Sequence, residues 1–275
     1  MFGKFKDYSA KDLKKHFFRK LRKPLYTGNA FECPVCNARL KHFIPIWKSF
    51  YRTLDEAGFI YDIDDYETFN RHQYACPSCD ASDRERLYAL YIRKWLADLD
   101  RSKRHAFIDF APAMSISSWL RGLPFIDYKS ADLFRHNVDI RLDITGMPQL
   151  ADDSVDAFLC SHVLEHVPND RAAMAELHRV LKPGGFGIVM VPLIKGVTQT
   201  QEDPSHDTEL LRTKHYGLSD HLRMYGTEDF VARLGQAGFQ VDALGMDWFG
   251  EAEFLRAGIA PDSRLYVVKK SAAQA

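Results

Sequence analysis

The sequence predicts an α/β protein, with a mainly parallel sheet covered by helices on both faces and a small metal-binding module on its N-terminal side. Three observations support this prediction. From residue 104 onward, apolar runs of strand length alternate with segments of helical periodicity. Acidic residues follow the ends of three predicted strands. Two pairs of closely spaced cysteines lie in the first third of the chain.

The composition is that of a folded protein rather than a disordered or membrane-spanning one. The chain has 275 residues, enough for one large α/β domain and a small accessory module. Apolar residues make up 46% of it, which allows a sizeable core. No apolar run reaches the roughly 18 residues of a membrane-spanning helix, and the N-terminus lacks the apolar stretch of a secretory signal. We therefore expect a cytoplasmic protein without a transmembrane segment.

Residues 1–23 are strongly basic, with nine Lys and Arg against two Asp, although the whole chain carries no net charge. Leu13, Phe17 and Leu21 recur at four-residue spacing, which predicts a basic amphipathic helix in a segment bounded at residues 1–28. Such a helix could touch a membrane surface peripherally or bind nucleic acid. We favour the alternative that its apolar stripe packs on the neighbouring domain.

Four cysteines predict a structural zinc site in a module spanning residues 29–82. Cys33 and Cys36 form one C-x-x-C pair, and Cys76 and Cys79 form the other. Together they supply four thiolates, which complete the tetrahedral shell that Zn²⁺ prefers and leave no open position for a substrate. Disulfides are the weaker alternative in a reducing compartment, and a redox motif requires only one pair. The 39-residue loop between the pairs is rich in aromatic residues, so we expect it to pack a small core of its own.

A helix should connect this module to the following domain. Ser82 and Glu85 stand three residues apart in the pattern of a capping box, and apolar residues at helical spacing follow them. We place this bridging helix in residues 83–103 and the α/β domain in residues 104–275.

The α/β domain is predicted to contain seven strands, three of which end in an acid. The strands are expected at 105–110, 127–133, 138–144, 156–161, 186–192, 239–246 and 264–270, and helices at 115–123, 169–181 and 227–238. Asp109, Asp132 and Asp143 lie at the ends of the first three strands. Ligands of such sheets bind beyond the carboxyl ends of the strands, where a carboxylate can accept hydrogen bonds from a ribose.

The turn after the first strand lacks the glycines that are typical of a nucleotide-binding α/β protein. It consists of Ala111, Pro112 and Ala113. Either no nucleotide binds here, or the chain binds its nucleotide without the usual glycines.

Residues 104–270 resemble the class I S-adenosylmethionine-dependent methyltransferases, of the type 11-like group. The resemblance rests on Asp132, Asp143-Ile144-Thr145, Asp153-Ser154-Val155-Asp156, SHVLEHV at 161–167 and ELHRVLKPGG at 176–185, in that order. It implies a Rossmann-like sheet of seven strands with the last strand antiparallel, and S-adenosylmethionine as the cofactor. This cofactor has no pyrophosphate, so we expect the glycine-poor turn to serve with different backbone angles. A domain that no longer binds the cofactor is the alternative.

The resemblance also implies which residues hold the cofactor. Asp109 and the turn at 110–113 would lie against its methionine part, and Asp132 would bind the ribose hydroxyls. Asp143 and Ile144 would bracket the adenine. The full predicted set is Asp109, Phe110, Ala111, Ala113, Asp132, Leu133, Asp143, Ile144, Ser161 and His162.

Histidines are the candidates for removing a proton from the methyl acceptor, since imidazole exchanges protons near neutral pH. By the resemblance, Ser161 and His162 would border the sulfonium and the acceptor. His215 and His221 lie in a polar connection at residues 193–226, whose length is typical of a functional lid. The predicted catalytic residues are therefore His162, His215 and His221.

A second divalent metal is a further hypothesis. The segment His162-x-x-Glu165-His166 is similar in part to the Glu-x-x-Glu-His pattern of metal-dependent O-methyltransferases, with a histidine in place of the first glutamate. Imidazole and carboxylate ligands favour a transition metal over Mg²⁺, and His221 or His215 could complete the set. The alternative is that this segment only starts a helix, as it does in relatives without a metal.

The sequence thus predicts an S-adenosylmethionine-dependent methyltransferase that acts on an oxygen or nitrogen of a small molecule or glycan. RNA is an alternative acceptor, supported by the basic N-terminus but not by the catalytic half, which has no basic stripe. A non-catalytic binding protein with a methyltransferase fold is the remaining alternative.

Overall fold

The computed structural model describes residues 25–271. The predicted basic helix, with its membrane or nucleic-acid contacts, therefore lies outside the described residues. Within them, no helix is both long and apolar enough to cross a membrane.

Two sheets form the framework. A small antiparallel sheet pairs β1 with β2 next to the first two cysteines. The large sheet has the strand order β5-β4-β3-β6-β7-β9-β8, in which β9 runs antiparallel to its neighbours. The strands are β1 (Thr27–Glu32), β2 (Arg39–Leu40), β3 (His105–Phe110), β4 (Ile126–Asp132), β5 (Ile140–Arg141), β6 (Val155–Ser161), β7 (Leu181–Met190), β8 (Gln240–Leu244) and β9 (Leu265–Lys269). This arrangement confirms the predicted fold class.

Helices lie between the strands and within the long connections. They are α1 (Lys48–Ala57), α2 (Asp83–Asp98), α3 (Met114–Leu120), α4 (Asp170–Val180), α5 (Glu209–Tyr216), α6 (Thr227–Gln236), α7 (Met246–Phe249) and α8 (Glu251–Arg256). Helix α2 begins with the predicted capping box: Glu85 Oε2 accepts a hydrogen bond from the Ser82 backbone N at 2.9 Å, and Ser82 Oγ accepts one from the Glu85 N at 3.3 Å. Helices α1, α5, α7 and α8 were not predicted.

The two strands β5 and β7 differ most from their predicted bounds. β5 has only two residues because the chain turns at Asp143, whose Oδ1 accepts hydrogen bonds from the Thr145 backbone N (2.8 Å) and Oγ1 (2.7 Å). β7 begins at Leu181, directly after α4, so the K-P-G-G segment belongs to the strand. The Gly184 N–H donates to the Lys270 carbonyl at 2.9 Å, which extends the contact between β7 and the end of the chain.

The rings of the aromatic loop between the cysteine pairs pack on one another: the Phe69 ring centroid lies 6.4 Å from that of Phe50, 6.1 Å from that of Tyr66 and 5.7 Å from that of Tyr74. Phe59, Tyr61 and Tyr66 of this loop pack against a small cluster of residues 194–224 that includes Tyr216. The rings of Phe59 and Tyr66 stack with centroids 6.0 Å apart. The loop, hereafter the insert (residues 37–75), and the connection at 193–226 therefore share one apolar interface.

Arg86 joins the cysteine module to the rest of the molecule. Its side chain is fully buried and lies over the Phe43 ring, 3.7 Å from the ring centroid. Its guanidinium donates hydrogen bonds to five backbone carbonyls, those of Gln73, Tyr74, Ala81, Ala257 and Gly258. The insert, the start of α2 and the loop after α8 are thus held by one side chain.

Candidate active site

The four cysteines converge on one point. Cys33 Sγ lies 3.7 Å from Cys79 Sγ, and Cys36 Sγ lies 3.8 Å from Cys76 Sγ. All four sulfurs lie within 4.8 Å of one another. A tetrahedral zinc ion with Zn–S bonds of about 2.3 Å places its sulfurs about 3.8 Å apart. The cluster therefore has both the donor set and the spacing of a metal site.

The turn after β3 reaches the carboxyl edge of the sheet in a conformation that glycine adopts more readily than alanine. Ala111 has a φ of 53°, and its N–H donates to the Ala131 carbonyl on β4 at 2.8 Å. A Cβ in this left-handed region costs about 1–2 kcal/mol. The expectation of different backbone angles is wrong at Ala111, because this hydrogen bond to β4 holds the residue in the glycine-like region.

Asp109 and Phe110 support this turn from the core. Their side chains are buried, with exposures of 1% and 3%. Asp109 Oδ2 accepts a hydrogen bond from the Tyr128 hydroxyl at 2.8 Å. Burial raises the pKa of Asp109 to about 7. In this arrangement the side chains of Asp109 and Phe110 are not accessible to a cofactor, whereas Ala111 and Ala113 are partly exposed.

The other predicted acids lie near the carboxyl ends of β4 and β5. Asp132 Oδ1 accepts hydrogen bonds from the backbone N of Phe134 (2.8 Å) and of Arg135 (2.9 Å), and its Oδ2 lies 3.4 Å from Arg135 Nε. Asp143 is exposed, whereas Ile144 is buried with 7% exposure. Asp132 thus presents one oxygen, Oδ2, whose only side-chain partner among residues 25–271 is the exposed Arg135.

β6 ends at a strained position. Ser161 Oγ lies 2.6 Å from the Tyr88 hydroxyl. The next residue, His162, has a φ of 54°, which is uncommon outside glycine. Its Nε2 is hydrogen-bonded to Arg84 Nη1, and its Nδ1 lies 3.0 Å from Glu165 Oε1. Burial and the nearby Arg84 lower the pKa of His162 to about 4, so its ring is neutral near pH 7.

A cavity of about 310 Å³ opens beside His162, at the carboxyl ends of β6 and β7. Five segments line it: the insert, the start of α2, the segment after β6, the end of β7 and the connection at 193–226. Its aromatic, charged and histidine lining consists of Phe50, Tyr66, Glu67, Phe69, Tyr74, Arg84, His162, His166 and His221. Gly217 also lines it, with a φ of 87°, and a Cβ at this position would clash with the Tyr66 hydroxyl. The cavity thus depends on a close approach between the insert and the connection.

A carboxylate and two histidines meet at one side of this cavity. One ligand atom each of Glu165, His166 and His221 lies within 4.8 Å of the others. Glu165 is fully buried, and neither of its carboxylate oxygens receives a hydrogen bond of good geometry within the described residues. His221 Nδ1 lies 2.7 Å from the Tyr216 carbonyl. The N–H is therefore on Nδ1, which leaves Nε2 unprotonated, 4.0 Å from Glu165 Oε1.

The structure places two of the three predicted catalytic histidines at the cavity and the third away from it. His162 and His221 line the cavity. His215 lies on α5, where its ring stacks on His206 with centroids 3.9 Å apart, and it does not line the cavity. Arg84 was not identified as a site residue from the sequence. A basic residue in the first turn of a helix opposes the helix dipole, and this unfavourable placement is a signal that could have found it.

The comparisons with known proteins agree with this geometry. Residues 92–189 match a protein-family model described as "Methyltransferase domain". Residues 92–189 thus carry a methyltransferase domain. The seven-stranded sheet, in which the last strand β9 is antiparallel, is the one that the resemblance to class I methyltransferases implies. No curated protein matches the sequence.

The solved structures that are similar to this chain are distant from it in sequence. The CurJ carbon methyltransferase shares 15% identity at a TM-score of 0.45, over 66% of this chain and 52% of that chain. The citrinin polyketide synthase CMeT domain shares 16% identity at a TM-score of 0.48, over 72% of this chain and 55% of that chain. A SAM dependent methyltransferase from Archaeoglobus fulgidus shares 12% identity at a TM-score of 0.43, over 70% of this chain and 96% of that chain. The chain spans about half the length of the first two, and none of these likenesses identifies the acceptor.

Proposed function

We propose that this methyltransferase transfers a methyl group from S-adenosylmethionine to an oxygen or nitrogen of a small-molecule or glycan acceptor bound in the cavity. One observation carries the proposal: the cavity adjoins His162 at the end of β6, next to the edge where β3, β4 and β5 present the predicted cofactor residues. Ligands of doubly wound sheets bind at this edge. A cofactor there would direct its methyl group toward the cavity.

The cofactor is proposed to lie across the ends of β3, β4 and β5. Asp132 is proposed to bind the ribose through Oδ2 once Arg135 moves aside, since two backbone N–H groups hold only Oδ1. The backbone of the turn at Ala111–Ala113, rather than the Asp109 side chain, is proposed to face the methionine part. Asp143 and Ile144 remain the proposed adenine neighbours.

The chain's own histidines are proposed to handle the acceptor's proton. Methyl transfer from a sulfonium needs an aligned nucleophile and, for a hydroxyl or amine, a group that takes its proton. His221 presents an unprotonated Nε2, because its Nδ1–H is held by the Tyr216 carbonyl. Burial lowers the pKa of His221, which keeps the ring neutral and able to accept a proton. His162 is proposed to border the acceptor, and His215 has no part in this arrangement.

A divalent cation is proposed at Glu165, His166 and His221. The donor set suits a transition metal, and neither oxygen of the buried Glu165 receives a hydrogen bond of good geometry within the described residues, although His162 Nδ1 lies 3.0 Å from Oε1. The carbonyl that holds His221 Nδ1–H is the kind of outer partner that metal-bound histidines have. His221 replaces His162 in the predicted set, since His162 Nε2 is already bonded to Arg84. When bound, the cation would occupy the lone pair of His221 Nε2, so His221 would not act as the base in that state. The cation would instead make an acceptor hydroxyl more acidic.

Cobalt substitution tests this second site separately from the cysteine site, which is proposed to hold a structural zinc. We expect two Co²⁺ per chain, one with the intense absorption of thiolate ligands and one without it. Glu165→Gln should remove only the second. A wild-type chain that binds one metal ion, lost entirely in a variant without the four cysteines, would contradict the second site.

The proposed cofactor pose is tested by a crystal structure with S-adenosylhomocysteine. The adenosyl group should lie at Asp132 and Asp143, with the sulfur facing the cavity beside His162. A pose in which the side chains of residues 111–113 fill the methionine position would contradict it. Nucleic acid remains the alternative acceptor, and salt-dependent retention of RNA by the full chain would favour it. The cytoplasmic location stays a proposal that rests on the sequence.

A further inference from the structure

Arg84 places a positive charge in the cavity without a carboxylate partner. It is the second residue of α2, and it lines the cavity. Within residues 25–271 it forms no ion pair, and its one side-chain hydrogen bond is to His162 Nε2. A guanidinium has five N–H donors, so most of its donors have no protein acceptor.

The two acids that flank Arg84 in the sequence accept hydrogen bonds from other groups. Asp83 Oδ2 accepts a hydrogen bond from the Asn70 backbone N. Glu85 Oε2 accepts hydrogen bonds from the Ser82 N (2.9 Å) and from Ser115 Oγ (2.7 Å). The hydrogen bonds of both carboxylates are therefore made with groups at the start of the helix, and the two acids favour the charged form of Arg84 only through their nearby charge.

The cavity's own acid is also engaged. Glu67 accepts a hydrogen bond from the Tyr266 hydroxyl, whose oxygen lies 3.0 and 3.2 Å from the two carboxylate oxygens. Much of the remaining lining is apolar, and it includes four aromatic side chains, those of Phe50, Tyr66, Phe69 and Tyr74. A cavity with aromatic walls and one planar cation favours a ligand with an apolar body and a planar or tetrahedral oxyanion.

We propose that the methyl acceptor is a small molecule with an oxyanion, a carboxylate or a phosphate, that Arg84 binds through its free N–H groups. The aromatic walls contact the body of the acceptor. His162 holds the guanidinium by its other edge, so the fork faces the ligand in a fixed orientation. The statement that the bound molecule is the methyl acceptor rests on the proposed function, but the binding of an oxyanion at Arg84 can be measured without methyl transfer.

The cofactor's own carboxylate is the competing ligand for Arg84. The cavity favours the acceptor, because residues of the aromatic insert line it and His162 is the one residue of the predicted cofactor set among the described residues that line it. S-adenosylhomocysteine and 5′-methylthioadenosine separate the two cases, since only the first carries the methionine carboxylate.

Calorimetry with small probes tests the proposal on the full, zinc-loaded chain. Benzoate and phenyl phosphate represent the two oxyanions, and benzamide is the neutral match. We expect the wild-type chain, saturated with S-adenosylhomocysteine, to bind at least one of the anions tenfold or more tightly than benzamide. The anion that binds better identifies the oxyanion as carboxylate or phosphate.

Variants then assign this preference to Arg84. Arg84→Gln should remove the preference, Arg84→Lys should retain part of it, and Lys94→Gln on the exposed side of α2 should leave it unchanged. Each variant's affinity for S-adenosylhomocysteine reports whether the fold and the cofactor site are intact.

Three results would overturn the proposal. The first is a wild-type chain that binds the anions no better than benzamide, which requires no variant to fold. The second is an unchanged preference in Arg84→Gln. The third is a variant that loses affinity for S-adenosylhomocysteine but keeps it for 5′-methylthioadenosine, which assigns Arg84 to the cofactor. Absence of cofactor binding by the wild-type chain would instead refute the proposed function, and the anion titrations could still be done without it.

Discussion

Asp109→Asn should remove the decrease in folding stability that the wild-type chain undergoes as the pH rises towards 7. Burial raises the pKa of Asp109 from 3.8 to about 7 in the folded chain. Between these two values the folded chain binds more protons than the unfolded chain, so stability falls as the pH rises and levels off above about pH 7. Asparagine has nearly the same shape, keeps an oxygen for the Tyr128 hydroxyl and carries no charge.

The magnitude follows from the separation of the two pKa values. At about 1.4 kcal/mol for each pH unit, the full difference corresponds to about 4 kcal/mol. The interval between about pH 5.5 and pH 7, where a thiolate metal site is still retained, accounts for about 2 kcal/mol of it.

Urea denaturation of the metal-loaded chain at a series of pH values measures this effect. The difference in free energy of unfolding between Asp109→Asn and the wild-type chain should grow by about 2 kcal/mol in favour of the variant from pH 5.5 to 8.5. Asp127→Asn is the control, because Asp127 is exposed on the neighbouring strand. A difference for Asp109→Asn that stays constant with pH would refute the assignment of a buried, neutral carboxyl.

Three other predictions concern the turn, the buried arginine and the metal. Ala111→Val should lower the free energy of unfolding by about 1–3 kcal/mol, because a β-branched residue disfavours a φ of 53°. Ala111→Gly should not lower it. Equal urea midpoints for the two variants would contradict this prediction. Arg86→Met should lower the free energy of unfolding by about 3–5 kcal/mol, because five backbone carbonyls lose their donor. The control Lys94→Met should lower it by under about 1 kcal/mol. A small loss for Arg86→Met would show that these carbonyls find other partners. Removing the metal from the four cysteines with a chelator should weaken the binding of benzoate or phenyl phosphate in the cavity more than the binding of S-adenosylhomocysteine, because the insert lines the cavity and not the proposed cofactor site. Equal weakening of both in calorimetry would contradict this prediction.

The strands of the α/β domain were predictable because their apolar runs are bounded by clear turn residues. β3 has the predicted bounds, β4 is shifted by one residue at both ends, and β6 begins one residue early. β5 could not be bounded from periodicity, because the side chain of Asp143 ends the strand through hydrogen bonds to Thr145. The four cysteines were equally clear, since their spacing is itself the feature that a metal site requires.

The cavity could not be predicted, because its walls come together only in the folded chain. His215 and His221 are six residues apart and equally suited to proton transfer from the sequence alone. Gly217, in the left-handed conformation, ends α5 between them, which leaves His215 on the helix and places His221 against Glu165. The insert and Arg84 likewise take their roles from tertiary contacts, since no local pattern states which surface an aromatic loop will cover.

The central claim is that the carboxyl edge of the sheet binds S-adenosylmethionine although its first turn contains alanine and proline. Calorimetric titration of the zinc-loaded chain with S-adenosylhomocysteine tests it most directly. We expect saturable binding at one site per chain, lost in Asp132→Ala and retained in His221→Ala, with the thermal stability of both variants measured as a control for folding. No binding by the wild-type chain up to millimolar ligand would contradict the claim and favour a methyltransferase fold that serves another purpose.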